Sequence, residues 1–217
     1  MTNRSLSLTD ELYQYVLENG VQETDLLTEL RHLTAHDAMS RMQIAPEQGQ
    51  FIAFLLSLTK PQRILEIGTF TGYSSLIMAL NTPDETKIIT CDMSKQWTDT
   101  AQTFWKRAGV AHKIELKLGE ALDTIRTLNH DEGFDFIFLD ADKEHYPQYY
   151  LALKPLLKSG GMMMIDNVLW SGRVADKANT EETTLGIRKL NEMVLQDQDI
   201  KSSMLPLADG VTLIHKS

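Results

Sequence analysis

The sequence predicts an α/β protein in which a mostly parallel sheet is wrapped by helices on both faces and preceded by a block of helices. Three observations carry this. From about residue 62 onward, short apolar β-prone runs alternate with longer runs whose apolar residues recur at helical spacing. The first β run breaks at Gly68 into a tight turn and resumes as a helical run, a strand, turn and helix start in one stretch. The runs end on Gly68, Asp92, Asp140 and Asp166, and in such sheets ligands sit beyond the carboxyl ends of the strands.

The elements follow in order. Residues 7–20 place Leu8, Leu12, Tyr15 and Val16 at helical spacing, with Ser7 or Thr9 as cap and Gly20 as stop. Residues 24–39 make a second helical stretch with Leu26, Leu27, Leu30 and Leu33 on one side. Pro46 suits the first turn of a third helix carrying Phe51, Ile52, Phe54, Leu55 and Leu56. This block reads as a cover for the sheet or an oligomer surface, or else as a lid over a ligand. Strands are expected at 63–67, 87–91, 113–118, 134–139 and 162–165, the last opened by Gly160-Gly161. Helices are expected between them at 73–80, 96–108 (closed by Gly109), 120–128 and 146–157, the last despite Pro155. A loop over 168–179 holds Trp170, Gly172 and Arg173 and can close over a substrate. After a helix over 181–195, β runs at 201–205 and 211–215 are joined through Asp209-Gly210, which predicts an antiparallel pair at one sheet edge. With no repeat or linker, one domain is expected over 1–217, a helical cover over 1–60 and an α/β core over 61–217.

Composition narrows the function. A chain of 217 residues with 42% hydrophobic and 24% charged residues can bury the core of a soluble globular domain. A formal charge of -9 repels a phosphate backbone unless basic residues gather on one face, so nucleic acid is disfavoured. The single cysteine, Cys91, excludes an internal disulfide and a cysteine-based zinc site. No apolar run at the start suits a signal peptide and none reaches the length of a membrane span, which predicts a cytoplasmic protein with no membrane partner.

The glycine turn carries the first chemical signal. Glu66 stands inside an otherwise apolar strand, where a carboxylate needs a hydrogen-bond partner or a charge, supplied by a ligand or by neighbouring backbone. The spacing Gly68-x-x-x-Gly72 lacks the early second glycine of the G-x-G-x-x-G dinucleotide fingerprint, which counts against NAD. Asp92, at the end of the next strand, can accept both hydroxyls of a ribose, or can simply be a turn aspartate.

The second signal is acidic. Asp140 closes one strand and Asp166-Asn167 closes the next, so two carboxylates and a carboxamide can meet in one crevice. A hard divalent cation such as Mg²⁺ relieves the repulsion of paired carboxylates and takes oxygen ligands. Lys143, three residues past Asp140, is disfavoured in its charged form beside a cation and can act as a base; without the cation it is a lysine paired to Asp142 or Glu144. His145 and Tyr146 are secondary candidates, Tyr146 as a packing residue at a helix start. Among the other histidines, His32, His36, His112, His130 and His215, just His32 and His36 stand one helical turn apart, and they lack the glutamate of H-E-x-x-H.

The segments Glu66-Ile67-Gly68-x-x-x-Gly72-Tyr73-Ser74, Asp92, Asp140-Ala141-Asp142-Lys143-x-x-Tyr146 and Asp166-Asn167-x-Leu169-Trp170 together resemble the cation-dependent O-methyltransferases of the caffeoyl-CoA and catechol type. The likeness runs from about Met42 to the C-terminus. It implies a Rossmann-like, class I methyltransferase sheet of seven strands with the last hairpin reversed, and commonly a homodimer. It implies that Glu66, Gly68, Thr69, Ser74, Asp92 and Asp140 contact S-adenosylmethionine, with Ile44 and Ala121 beside its methionine and adenine ends. It further implies that Asp140, Asp166 and Asn167 hold the metal, Mg²⁺ or else Ca²⁺ or Mn²⁺, and that Lys143 is the base or positioning group. The expected reaction is methyl transfer to one hydroxyl of a catechol-like small molecule. Similar proteins methylate a hydroxylated uridine in tRNA, which the net charge argues against. Arg4, Arg31 and Arg41 are available to a coenzyme A phosphate without forming a dense basic patch. Two other classes are weighed beside this, a nicotinamide-dependent oxidoreductase and a non-catalytic binding protein.

Overall fold

A computed structural model of the chain describes residues 6–129 and 131–217. Arg4 and His130 lie outside the described residues. Helices α1 (Asp10–Gly20), α2 (Asp25–Thr34) and α3 (Pro46–Thr59) precede β1 (Arg63–Ile67). The chain then runs through α4 (Tyr73–Leu80), β2 (Lys87–Asp92), α5 (Lys95–Arg107), β3 (Ile114–Leu118), α6 (Ala121–Thr127) and β4 (Phe134–Leu139). It continues through α7 (Tyr146–Leu153), β5 (Leu157–Ile165), α8 (Glu182–Gln196), β6 (Ile200–Leu205) and β7 (Val211–Lys216).

The seven strands form one sheet in the order β3-β2-β1-β4-β5-β7-β6. β1 to β5 pair in parallel, and β7 is antiparallel to both β5 and β6. The central strands are apolar on both sides because side chains alternate across a strand and helices cover both faces. Leu65, Ile67, Ile137 and Leu139 pack with Tyr150, Leu153, Ile187 and Leu190 of α7 and α8. Ile64, Phe136 and Phe138 pack on the other face with Ile52 and Leu56 of α3 and Leu76 of α4, and Leu27 and Leu30 of α2 join that same cluster. The N-terminal helices therefore share a core with the sheet.

Several boundaries depart from the sequence reading, each for a local reason. The second helix stops at Thr34, not 39: Thr34 turns inward to a buried hydrogen bond with Thr71, and the Asp37 side chain accepts from the Met39 N–H in a turn. Residues 38–45 then run along the ligand cavity instead of extending the helix. The helix expected over 146–157 ends at Leu153, followed by a 3₁₀ turn Lys154–Leu156 at Pro155, which has no N–H to continue the ladder. Strand β5 starts at Leu157, well before the expected residue 162, with an irregular register against β4 and Gly160 in the left-handed region. Lys113 lies in a 3₁₀ turn and not on a strand; its buried ammonium donates to the Ala79 and Thr82 carbonyls at the end of α4, as a cation at a helix C-terminus does. Residues 206–210 join β6 to β7 as a five-residue loop, so Asp209-Gly210 closes a wider turn than a two-residue hairpin.

Candidate active site at the carboxyl ends of the strands

The carboxyl ends of β1, β2, β4 and β5 open into a cavity of about 1000 Å³. The turn after β1 forms its floor. Gly68 has φ +99, and a Cβ there would stand 2.0 Å from the Asp140 carbonyl oxygen. The glycine is thus required by the close approach of the β1 and β4 ends as well as by the turn. Asp92 braces this turn: its Oδ2 accepts from the Thr69 N–H at 3.0 Å and the Phe70 N–H at 2.7 Å, and its Oδ1 from the Ser94 N–H at 2.8 Å.

Of the residues expected to meet a cofactor, Ile44, Gly68, Thr69, Ser74, Asp92, Ala121 and Asp140 line the cavity. Glu66 does not. It is fully buried behind the wall, where its two oxygens accept from the hydroxyls of Ser74 and Thr90, both at 2.5 Å. Burial pushes its carboxyl up to about 8 against those two donations, and Asp140 and Asp92 add to the shift. Its direct partners are side-chain hydroxyls, not the neighbouring backbone that was the alternative to a ligand, and Ser74 also lines the cavity.

Asp140, Asp166, Asn167 and Lys143 also line the cavity. Lys143 is buried, and its ammonium donates to Asp140 Oδ1 at 2.5 Å and to the Tyr146 hydroxyl at 2.8 Å. Tyr146 packs at the start of α7 fully buried, and its hydroxyl donates to the Asp166 carbonyl at 3.1 Å, tying the two strand ends together. Asp166 is 2% exposed, and burial with the Asp140 charge beside it pushes its carboxyl up, against the opposing pull of Lys143. Asn167 takes a left-handed backbone, φ 56, which asparagine tolerates, and its N–H donates to Asp166 Oδ1 at 2.6 Å. Two carboxylates against one ammonium leave this end of the cavity with negative charge to spare, and the oxygen donors suit a hard divalent cation. A second group, Asp142, Glu144 and His145, brings its ligand atoms within 4.8 Å of one another on the exposed rim, where His145 is already paired to Asp142.

Phe70, Trp97 and Gln48, in the other walls, were not singled out from sequence. Phe70 and Trp97 meet edge to face at 4.9 Å beside Asp92. Gln48, at the start of α3, is 1% exposed and lies beside Asp166 without a hydrogen bond of good geometry to its amide nitrogen. Nothing in the sequence separates it from its polar neighbours Glu47 and Gln50. In the 168–179 loop, Trp170, Ser171 and Arg173 line the mouth. The loop is fastened by Arg188, which donates to the carbonyls of Arg173, Val174, Asp176 and Asn179. Arg41 lines the cavity, while Arg31 is committed to a salt bridge with Glu23 at 2.6 Å.

A sequence model of the O-methyltransferase family matches residues 17–217. The chain belongs to the O-methyltransferase family. The caffeoyl-CoA O-methyltransferase of Petroselinum crispum is 37% identical to it over 226 residues, 99% of this chain and 94% of that one. The O-methyltransferase TomG of Streptomyces achromogenes, solved in complex with S-adenosylmethionine, superposes with a TM-score of 0.86 at 29% identity, covering 95% of this chain and 96% of that one. A Podospora anserina methyltransferase bound to S-adenosylhomocysteine superposes with a TM-score of 0.89 at 27% identity, with both chains covered in full at 100%. This O-methyltransferase is accordingly an S-adenosylmethionine-dependent enzyme, and the oxidoreductase and non-catalytic readings are set aside. No helix among the described residues is long and apolar enough to cross a membrane.

Proposed function

We propose that this O-methyltransferase moves the methyl group of S-adenosylmethionine to one hydroxyl of a catechol-like small molecule, with a divalent cation, Mg²⁺ first among them, held by Asp140, Asp166 and Asn167. The observation that carries the reading is the meeting of Asp140, Asp166, Asn167 and Lys143 at one end of a cavity whose floor is the glycine turn. In this reading Ile44, Gly68, Thr69, Ser74, Asp92 and Ala121 receive the cofactor, and Glu66 acts on it through Ser74.

A sulfonium methyl is already activated, so the protein has to align it with an oxygen nucleophile that has lost its proton. A divalent cation chelated by adjacent hydroxyls supplies a lowered hydroxyl pKa and a fixed direction. In this reading Lys143, whose charged form a nearby cation would disfavour, takes the hydroxyl proton. Trp170 and Arg173 line the cavity and, in this reading, shield the reacting atoms from water. A homodimer in the cytoplasm is part of the same reading.

The test is a mass-spectrometric methylation assay with S-adenosylmethionine and a panel of catechols, run with Mg²⁺ and again with EDTA. A methyl gain that disappears with EDTA supports cofactor, reaction and metal together. Methylation that survives the chelator removes the metal role of Asp140, Asp166 and Asn167. Binding of the cofactor with no catechol methylated moves the substrate to another class, tRNA being the next to try.

A further inference from the structure

Five buried side-chain polar atoms among the described residues lack a hydrogen-bond partner, on Gln43, Gln48, Trp170, Thr184 and Thr212. Three of these residues, Gln43, Gln48 and Trp170, line the active-site cavity. Buried polar groups in folded proteins are nearly always paired, so orphans gathered in one cavity mark where a ligand completes the set. Among them, Gln48 stands beside Asp166 of the acidic cluster.

Its position is tightly held. Pro46 opens α3, and the residues around Gln48 are clamped on three sides. The Tyr13 hydroxyl donates to Glu47 Oε2 at 2.9 Å, and Gln50 Oε1 accepts from the Gln22 N–H at 2.9 Å. Gly49 lies so close to α4 that a Cβ would stand 2.6 Å from Ile77 Cδ1. Between these anchors Gln48 is 1% exposed, with Asp166 beside its amide nitrogen and no hydrogen bond of good geometry to it.

The neighbours of the two carboxylates are unequal. Asp140 carries the Lys143 ammonium, whereas Asp166 has the uncharged Gln48 amide at its side. Two vicinal oxygens laid across this cluster meet different groups. The one at the Lys143 end can give up its proton. The one at the Gln48 end meets a donor that accepts no proton. We infer that Gln48 is a positioning residue for the acceptor: its amide donates a hydrogen bond to the vicinal oxygen that is not methylated, and so decides which hydroxyl receives the methyl group. This rests on the catechol reading above.

The test uses the full chain with 3,4-dihydroxybenzoate, whose two hydroxyls give distinguishable products, and the variants Gln48→Met and Gln48→Leu. Both replace the amide by an apolar chain and remove the donor at any pH. Readouts are the melting temperature without ligand, KM for each substrate and the ratio of 3-O- to 4-O-methyl product. Gln48→Met is expected to melt no lower than the parent, since an apolar chain replaces an unpaired amide. Its KM for the diol rises about tenfold and its product ratio moves at least about threefold, while KM for S-adenosylmethionine stays within about twofold. An unchanged ratio and diol KM in an active variant overturns the inference alone, as does a lower melting temperature with both KM values rising together. If Gln48→Met does not fold, Gln48→Leu is read by the same criteria. A parent that methylates no vicinal diol fails the catechol reading, and the inference falls with it.

Discussion

Thr34 at the end of α2 and Thr71 in the glycine turn share a hydrogen bond of 2.8 Å between hydroxyls that are almost wholly buried. Next to it, the Tyr73 hydroxyl donates to Glu23, which Arg31 grips with two nitrogens. The N-terminal helices are thus tied to the turn on which the cofactor is proposed to lie. Thr34→Val leaves Thr71 buried without a partner, and should cost about 1–2 kcal/mol of stability and lower the melting temperature by several degrees. KM for S-adenosylmethionine should rise with it. A thermal melt together with saturation kinetics checks both, and an unshifted melt would show that the tie contributes nothing.

Glu66 makes stability depend on pH in a definite direction. Its carboxyl is raised from 4.5 to about 8 in the fold, chiefly by burial, so the unfolded chain releases its proton first as pH rises. The stability that the protonated group contributes is fully present below about 4.5 and is lost as pH climbs through about 8. Glu66→Gln stays neutral throughout. At pH 8.5 it should be more stable than the parent by at least about 1.4 kcal/mol, the value of one pH unit, with the difference shrinking toward pH 5. Urea titrations of both proteins without ligand across that range would decide, and two parallel curves would refute the assignment.

Lys143→Met removes the ammonium between Asp140 and Tyr146. If Lys143 takes the hydroxyl proton, kcat falls by about 10²–10⁴ while S-adenosylmethionine still binds, since general bases contribute in that range. Single-turnover assays beside calorimetric binding separate the two effects. A loss of cofactor binding equal to the loss of rate would assign Lys143 to structure instead.

Gly68→Ala places a Cβ 2.0 Å from the Asp140 carbonyl oxygen at a left-handed φ of +99. Neither backbone can yield without moving a strand end, so a loss of about 2–4 kcal/mol is expected together with displacement of Asp140. Denaturant midpoints measure the first, and EDTA-sensitive activity the second.

The order of strands and helices was legible because each element follows from a local pattern, alternation for strands, 3.6-residue spacing for helices and glycine for the turn. The meeting of Asp140, Asp166 and Asn167 was legible for a further reason: parallel strands deliver their carboxyl ends to one edge, so residues that close successive strands become neighbours. Boundaries failed where a tertiary contact outweighed the pattern. α2 stopped at Thr34, whose hydroxyl is bonded to Thr71, and Lys113 left the strand run for the carbonyls at the end of α4.

By itself, then, the sequence determined the α/β class, the glycine turn after β1, the acids at the strand ends and the family. The tertiary structure alone decided that Glu66 sits behind the wall with Ser74 and Thr90, that Tyr146 links Lys143 to the Asp166 backbone, and that Gln48 reaches the acidic cluster from the N-terminal helices. The physical reason is the range of the interaction. Periodicity and turn chemistry act within a few residues, whereas the burial of a polar group is set by whichever distant elements the apolar core brings against it.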